Sequence, residues 1–262
     1  MRNKSIEDFD KTLPIVEVYT AVQGEGSRAG MPTIVIRTTG CTHRCWFGEQ
    51  GGWCDSWYTS IHPEKGKYTI NDIIKIYDAN PHISEMMLTG GAPTMHPAIV
   101  NTLNNFCHER GIVMTIETEG SHRIDFTDKP IGLVSISPKF SNSVPKLGIK
   151  TPQGATVDQK MIDQHNKFRL NFDAIKYNME THTDYHLKPV VNPIQDPEIW
   201  SEVQTFLDEL GAPKSKTYIM PPGDNRAALF LSYGDVMNFC RDTGYNFTGR
   251  PHIIAFDTER CV

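Results

Sequence analysis

The sequence predicts an α/β protein built on a mainly parallel sheet, and three observations predict it. Short apolar runs of strand length alternate with amphipathic stretches of helix length along most of the 262 residues. Strand after strand ends in a cluster of polar and turn-forming residues, which gathers chemistry-bearing side chains at one edge of the sheet. No internal repeat of solenoid period and no low-complexity segment breaks the alternation. The chain is long enough for a sizeable core and is expected to form one domain over 1–262, with residues 140–178 as a surface insertion.

The elements follow in order. Residues 1–12 are polar and read as a loose arm. Leu13 to Tyr19 alternates as a strand and leads to Gln23-Gly24-Glu25-Gly26, where two glycines permit a tight turn and close backbone approach. Thr33 to Arg37 is short and β-branched, a buried strand. Thr69 or Asn71 caps a helix to about Asp78, with Ile70, Ile73, Ile74 and Tyr77 on one face. Met86 to Leu88 is a strand running into Thr89-Gly90-Gly91-Ala92-Pro93. Pro97 opens a helix that Gly111 stops. Ile112–Ile116 and Ile131–Ile136 are strands ending at Glu117-Thr118-Glu119-Gly120 and Ser137-Pro138-Lys139.

Segment 140–178 is polar and turn-rich, with a helix from about Val157 to Arg169. Its His165 and Lys167 are expected in solvent. Leu187–Val191 is a strand ending at Asn192-Pro193, and Thr217–Met220 ends at Pro221-Pro222-Gly223. Asn225 to Thr243 reads as a helix stopped by Gly244, and Ile253–Phe256 as a last strand.

Composition narrows the function classes. Hydrophobic content is 39% and the formal net charge is -5, so no global basic field points to direct nucleic-acid binding. No apolar run approaches membrane-spanning length, and MRNKSIEDFDK is too polar for a signal peptide. A cytoplasmic protein with no membrane partner is expected.

Cys41, Cys45 and Cys54 lie within fourteen residues, in a Gly- and Trp-rich loop that leaves the end of a strand. Thiolates converge on one point most readily from irregular backbone. Three of them are one short of a four-cysteine shell. His43 would complete a structural zinc site. An iron-sulfur cluster would instead keep one iron open for a small molecule. A disulfide with a free thiol is the bland alternative, but nothing else suggests an oxidising compartment. Spacing alone leaves zinc and cluster even. Cys107 and Cys240 fall in helix patterns and read as buried thiols, while Cys261 is expected to be exposed.

The flanks decide between them. Gln23-Gly24-Glu25-Gly26, Arg37-Thr38-Thr39-Gly40-Cys41, Trp53-Cys54-Asp55-Ser56, Thr89-Gly90-Gly91-Ala92-Pro93, Glu117-Thr118-Glu119-Gly120 and Ser137-Pro138-Lys139 together resemble the 7-carboxy-7-deazaguanine synthase family of radical S-adenosylmethionine (SAM) enzymes, of the queuosine pathway. The resemblance runs from about Val16 onward. It implies an α/β fold of the radical SAM type: a partial (β/α) barrel with a mainly parallel sheet and a surface insertion.

It further implies a [4Fe-4S] cluster on Cys41, Cys45 and Cys54. SAM would be contacted by Trp53, Asp55, Gly90, Gly91, Ser137, Lys139, Asn192 and Gln195. Gly90 and Gly91 suit that task because backbone without Cβ can approach the methionine end. Ser56 would bind Mg²⁺, the alternative being that it only caps the loop. The pterin substrate would be held by Val22, Gln23, Gly24, Glu25, Arg37, Thr89, His252 and the terminal carboxylate of Val262, with the Arg37 fork on the substrate carboxylate. No side chain is singled out as an acid or base.

The implied reaction converts 6-carboxy-5,6,7,8-tetrahydropterin to 7-carboxy-7-deazaguanine. Hydrogen abstraction at C6 is followed by radical ring contraction and loss of ammonia, and SAM is regenerated. An electron donor such as flavodoxin and a homodimer come with the resemblance. Two departures stand out. The cysteine gaps are three and eight where the family usually has three and two, and Ala92 stands where Glu is usual. The rival expectations are an activase of a glycyl-radical enzyme and a zinc-stabilised binding domain.

Overall fold

The structure, a computed structural model, describes residues 5–262; of the expected N-terminal arm, residues 1–4 lie outside the described residues. The next residues lie against the body, where the Ile6 N–H donates to Thr102 Oγ1 at 2.7 Å.

Strands β1 (Ile15–Val22) and β2 (Pro32–Thr38) form an antiparallel hairpin. Then β3 (Glu85–Gly90), β4 (Val113–Thr118), β5 (Leu133–Ile136) and β6 (Tyr185–Leu187) add in chain order, each parallel to the last. Single parallel bridges, Leu187 to Thr217 and Val190 to Met220, carry the sheet on toward β7 (Tyr218–Ile219), which pairs with β8 (Asn246–Phe247). The six-stranded sheet is open, as expected of a partial barrel.

The helices are α1 (Gly48–Gly51), α2 (Trp57–Ser60), α3 (Ile70–Ala79), α4 (Pro97–Arg110), α5 (Gln159–Phe168), α6 (Phe172–Thr181), α7 (Pro197–Leu210), α8 (Arg226–Thr243) and α9 (Pro251–Phe256). Thr69 caps α3 in a reciprocal box with Asp72. Gly111 and Gly244 take left-handed conformations where they were expected to stop α4 and α8.

The period-2 alternation of the strands produces both the core and the site. Ile34, Ile36, Met86, Leu88, Met114, Ile116, Val134 and Ile136 are buried in one cluster with Ile73, Leu103, Ile175 and Leu207 from the helices. Each such side chain contributes about 1.5–3 kcal/mol of hydrophobic stabilisation. The alternate positions Val35, Arg37, Met87, Thr89, Glu117, Ser135 and Ser137 line a cavity instead.

Two expectations are corrected. Ile253–Phe256 belongs to a helix rather than a strand: Pro251 sits in its first turn, and only Ile253 of the four is buried. A four-residue apolar run does not distinguish the two by itself. His165 is fully buried, not solvated. Within segment 140–178, residues 141–169 lie against the cysteine loop, and α6 buries Ala174 and Ile175. Helices α6 and α7 were not read from the sequence, although Pro197 in the first turn and left-handed Gly211 mark the ends of α7 plainly.

Candidate active site

A cavity of about 490 Å³ opens where the strand ends, the cysteine loop and the C-terminal residues meet. Every site residue expected from the sequence lines it except Gln23, Asn192 and Gln195. Gln23 is buried, and its Nε2 has no protein partner. Asn192 and Gln195 bond Asp235 on α8, at 3.1 and 3.0 Å, and stand outside the cavity wall.

The cysteine loop explains the unusual spacing. Trp46 and Trp53 pair as an antiparallel bridge, Phe47 N donates to Gly52 O at 2.8 Å, and Cys54 N donates to Cys45 O at 3.1 Å. The extra residues therefore form a small hairpin with α1 at its tip, which returns Cys54 beside Cys45. All three thiols are free and face the one cavity. Burial pushes the Cys45 thiol up to about 12 and Cys54 to about 11, and lifts Cys41 well above its ordinary value. Cys41 also feels the charges that Cys45 and Cys54 would carry, so the three are electrostatic neighbours.

His43, the expected fourth zinc ligand, lines the same cavity. Its Nδ1 lies 2.9 Å from Thr42 Oγ1, its buried Nε2 has no partner, and burial with His165 nearby holds it neutral, down to about 2. Among the described residues, no three His, Cys, Asp or Glu side chains converge as one metal ion requires.

The glycines are claimed first by the protein itself. A Cβ on Gly90, at φ 128°, would strike the Thr38 backbone, and one on Gly91 would strike Gly40. Gly91 N and Ala92 N donate to Thr38 O and Gly40 O at 3.1 and 2.7 Å. The β3 end thus grips the start of the cysteine loop. Ala92 is fully buried and does not line the cavity, so a Glu there would have to bury its carboxylate. A Cβ on Gly24 would overlap the His252 ring, which lies against that backbone.

The opposite wall is a chain of ion pairs. Lys188 Nζ lies 2.7 Å from Glu25 and 2.6 Å from Glu117, whose other oxygen accepts from Thr89 Oγ1 at 2.8 Å. Arg250 bridges Glu25, at 3.0 Å, to Asp55, and donates to Gly223 O at 2.6 Å. Burial alone would lower Lys188, but the Glu117 and Glu25 carboxylates outweigh it and hold the ammonium above its ordinary range. Burial alone would raise Glu25, but Lys188 and Arg250 hold it far below the usual carboxylate range. Arg37 donates to Glu17 at 2.7 Å, Ser56 Oγ at 2.9 Å and Tyr19 Oη at 3.3 Å. Arg260 also holds Glu17, at 2.8 Å, and stacks 3.5 Å from the Tyr58 ring centre, which latches residues 257–262 across the cavity.

Glu17, Lys188, Arg250 and Arg260 were missed from the sequence. The available signal was a charge within an apolar run, at Glu17 in β1 and at Lys188 just after β6. Ser56 begins α2, but its side chain makes no cap hydrogen bond. It lies instead between Arg37 and Asp55, 3.3 Å from the Asp55 carboxylate. Ser137 Oγ accepts from Lys139 Nζ at 2.6 Å, and Lys139 is near enough to Cys45 to favour its thiolate.

Comparison with known proteins finds relatives of this sequence and fold. The chain is 34% identical over 251 residues to the 7-carboxy-7-deazaguanine synthase of Halobacterium salinarum, across 94% of this chain and 91% of that one. It is 29% identical to the Rhodopirellula baltica enzyme of the same name, across 96% and 89%. QueE from Escherichia coli superposes with a TM-score of 0.53 at 18% identity, covering 91% of this chain and 93% of that one. Streptococcus suis SuiB, solved with its precursor peptide SuiA, gives 0.52 at 16% identity over 82% and 47%. The structural matches show a shared fold, and no family model matches. With that identity carried across nearly its whole length, the chain belongs to the 7-carboxy-7-deazaguanine synthase family.

Proposed function

We propose that this protein converts 6-carboxy-5,6,7,8-tetrahydropterin to 7-carboxy-7-deazaguanine, with loss of ammonia. The observation that carries the reading is convergence in one cavity of Cys41, Cys45 and Cys54 with the Glu25, Arg37, Thr89 and His252 set. Cys41, Cys45 and Cys54 would hold a [4Fe-4S] cluster, with Trp53, Asp55, Gly90, Gly91, Ser137 and Lys139 around SAM. A cluster and SAM held there would supply a 5′-deoxyadenosyl radical, the one-electron chemistry that hydrogen abstraction at C6 of the substrate requires.

The chain's own residues bind and orient. Arg37 spends three donors on Glu17, Ser56 and Tyr19, which fixes its plane and leaves its remaining N–H groups for the substrate carboxylate. Glu25 and Glu117, held by Lys188, offer carboxylate acceptors to the pterin N–H edge. His252 and Val262, with the tail that Arg260 latches, close the cavity against water. Ser56 would be the Mg²⁺ ligand of this reading: its hydroxyl oxygen keeps a lone pair after accepting from Arg37, and the Asp55 carboxylate lies beside it. The same reading carries a one-electron donor such as flavodoxin, a homodimer and a cytoplasmic setting; no described helix is long and apolar enough to cross a membrane.

Anaerobic reconstitution with iron and sulfide tests the proposal, followed by incubation with SAM, reductant and the carboxypterin. A brown protein that yields 7-carboxy-7-deazaguanine by mass spectrometry is expected. A brown protein that cleaves SAM but leaves the pterin intact would point to another radical enzyme, and a colourless zinc protein would defeat the cluster assignment.

A further inference from the structure

We propose that residues 141–169 form a clamp that preorganises the cysteine loop, with His165 as its positioning residue. The inference deepens the assignment of Cys41, Cys45 and Cys54 as cluster ligands. It rests on contacts made at each stretch of the loop. Between Cys41 and Cys45, Arg44 N donates to His165 Nδ1 at 3.0 Å and Gln164 Nε2 donates to Thr42 O at 3.3 Å. The His43 ring meets the His165 ring edge-on, with centroids 5.2 Å apart. Between Cys45 and Cys54, Trp46 N donates to Ser143 O at 2.9 Å and Trp53 Nε1 donates to Lys150 O at 3.1 Å. The Lys146 ammonium lies 5.3 Å from the centre of the Trp46 ring.

The hydrogen bonds determine the state of His165. Because Nδ1 accepts from a backbone N–H, the ring proton is on Nε2. Ser143 Oγ gives its own proton to Phe140 O at 2.7 Å and so accepts from Nε2, 3.1 Å away. Both ring nitrogens are satisfied in a residue with no solvent exposure, so the ring has one orientation and one tautomer. The hairpin that lengthens the Cys45–Cys54 gap and the 141–169 segment are therefore one unit, each supplying partners for the other. A loop that carries metal ligands has few backbone partners of its own. Fixing it beforehand aims the sulfur atoms and spares the metal centre the entropy of ordering them.

The test compares His165→Ala, His165→Asn and Ser143→Ala with the parent. Asn retains an acceptor for Arg44 N–H. In cluster-free protein, His165→Ala should speed amide exchange over residues 42–46 roughly tenfold or more while leaving β3 and β4 unchanged. In reconstituted protein it should speed loss of cluster absorbance to a chelator by a similar factor and shift the midpoint potential. Asn should restore most of both, and Ser143→Ala should show the same pattern more weakly.

Parent-like exchange and cluster lifetime in His165→Ala would overturn the clamp. So would uniformly faster exchange through β3 and β4, which would make His165 a general support of the fold. If the parent never forms a cluster, the functional reading fails, and the exchange measurement on cluster-free protein still decides for or against the clamp.

Discussion

Charge is treated oppositely on the two sides of the cavity. On the cysteine side, burial drives each shifted group from Cys41 to Cys54 toward its neutral form: Cys45 up to about 12, Cys54 up to about 11, Cys41 well above its ordinary value, and His43 down to about 2. On the sheet and tail side, Glu17, Glu25 and Asp55 are all held below their ordinary carboxylate values despite burial, because Arg37, Lys188 and Arg250 face them. The second wall is completed by the protein's own counter-charges. On the first, burial outweighs the nearby Lys139 and Arg44 charges, and a bound metal cation would make the thiolates favourable. Stability and metal binding should therefore respond separately to changes on the two sides.

The largest separation is expected from Cys45→Ala. Iron retained after reconstitution should be lost, and product formation with it, while the melting temperature of the cluster-free protein stays near that of the parent. Cys107→Ala is the control. Its thiol lies in the core, 3.6 Å from Met86 Sδ, so it should keep iron and lose only stability. Iron kept by Cys45→Ala and lost by Cys107→Ala would reverse the assignment of ligands.

Lys188→Met should show the opposite signature. It leaves Glu25 and Glu117 facing each other in a buried site without their shared cation, at a cost of about 3–5 kcal/mol in the cluster-free protein. Denaturant unfolding measures this directly. Iron binding in the surviving folded fraction should be retained. A change below about 1 kcal/mol would mean that water or rearrangement already screens the pair, and that this wall is not finished in the way described.

How much of this was legible depends on how local each signal is. Strands β2, β3 and β5 were readable as short apolar runs between turn signals. Their division into a buried face and a cavity face every two residues, which brings Arg37, Thr89 and Ser137 to the cavity, emerged only in the structure. The caps at Thr69, Gly111 and Gly244 were readable because they depend on a few adjacent residues. Lys188 and Arg250 were not, because the Glu25 that pairs with them is 163 and 225 residues away. Nothing near either residue records that partner. His165 failed for the same reason: its helix is polar on most sides, and the backbone that buries it lies 121 residues earlier. The radical SAM motifs were readable as a resemblance; what the glycines of that motif touch required the structure, since Gly90 and Gly91 meet β2 and the cysteine loop.

The smallest expected effect concerns His186 and measures how neutral a buried group remains beside the charged wall. Its Nε2 lies 2.8 Å from Ser135 Oγ and its Nδ1 2.9 Å from Ser27 Oγ, and a Cβ on Gly26 would run into the ring. His186 therefore supports the turn that carries Glu25. Burial first, and the Lys188 charge next, push it down to about 3. In the unfolded chain it should titrate near 6.5. Between those values the unfolded chain binds a proton that the native protein refuses. The stabilisation is complete above pH 6.5 and is lost as pH falls, at about 1.4 kcal/mol per unit, or about 2 kcal/mol by pH 5. Glu17, Glu25 and Asp55 are held below their ordinary values, so their contribution to stability is lost only at lower pH. The interval from about 6.5 to 4.5 thus isolates the histidines. His186→Gln keeps a donor and an acceptor but cannot titrate. Whatever its absolute stability, its unfolding free energy should fall less steeply over that interval, by one histidine's contribution. Equal slopes for variant and parent would mean that His186 takes up its proton while folded, and that the charged wall tolerates another cation beside Lys188.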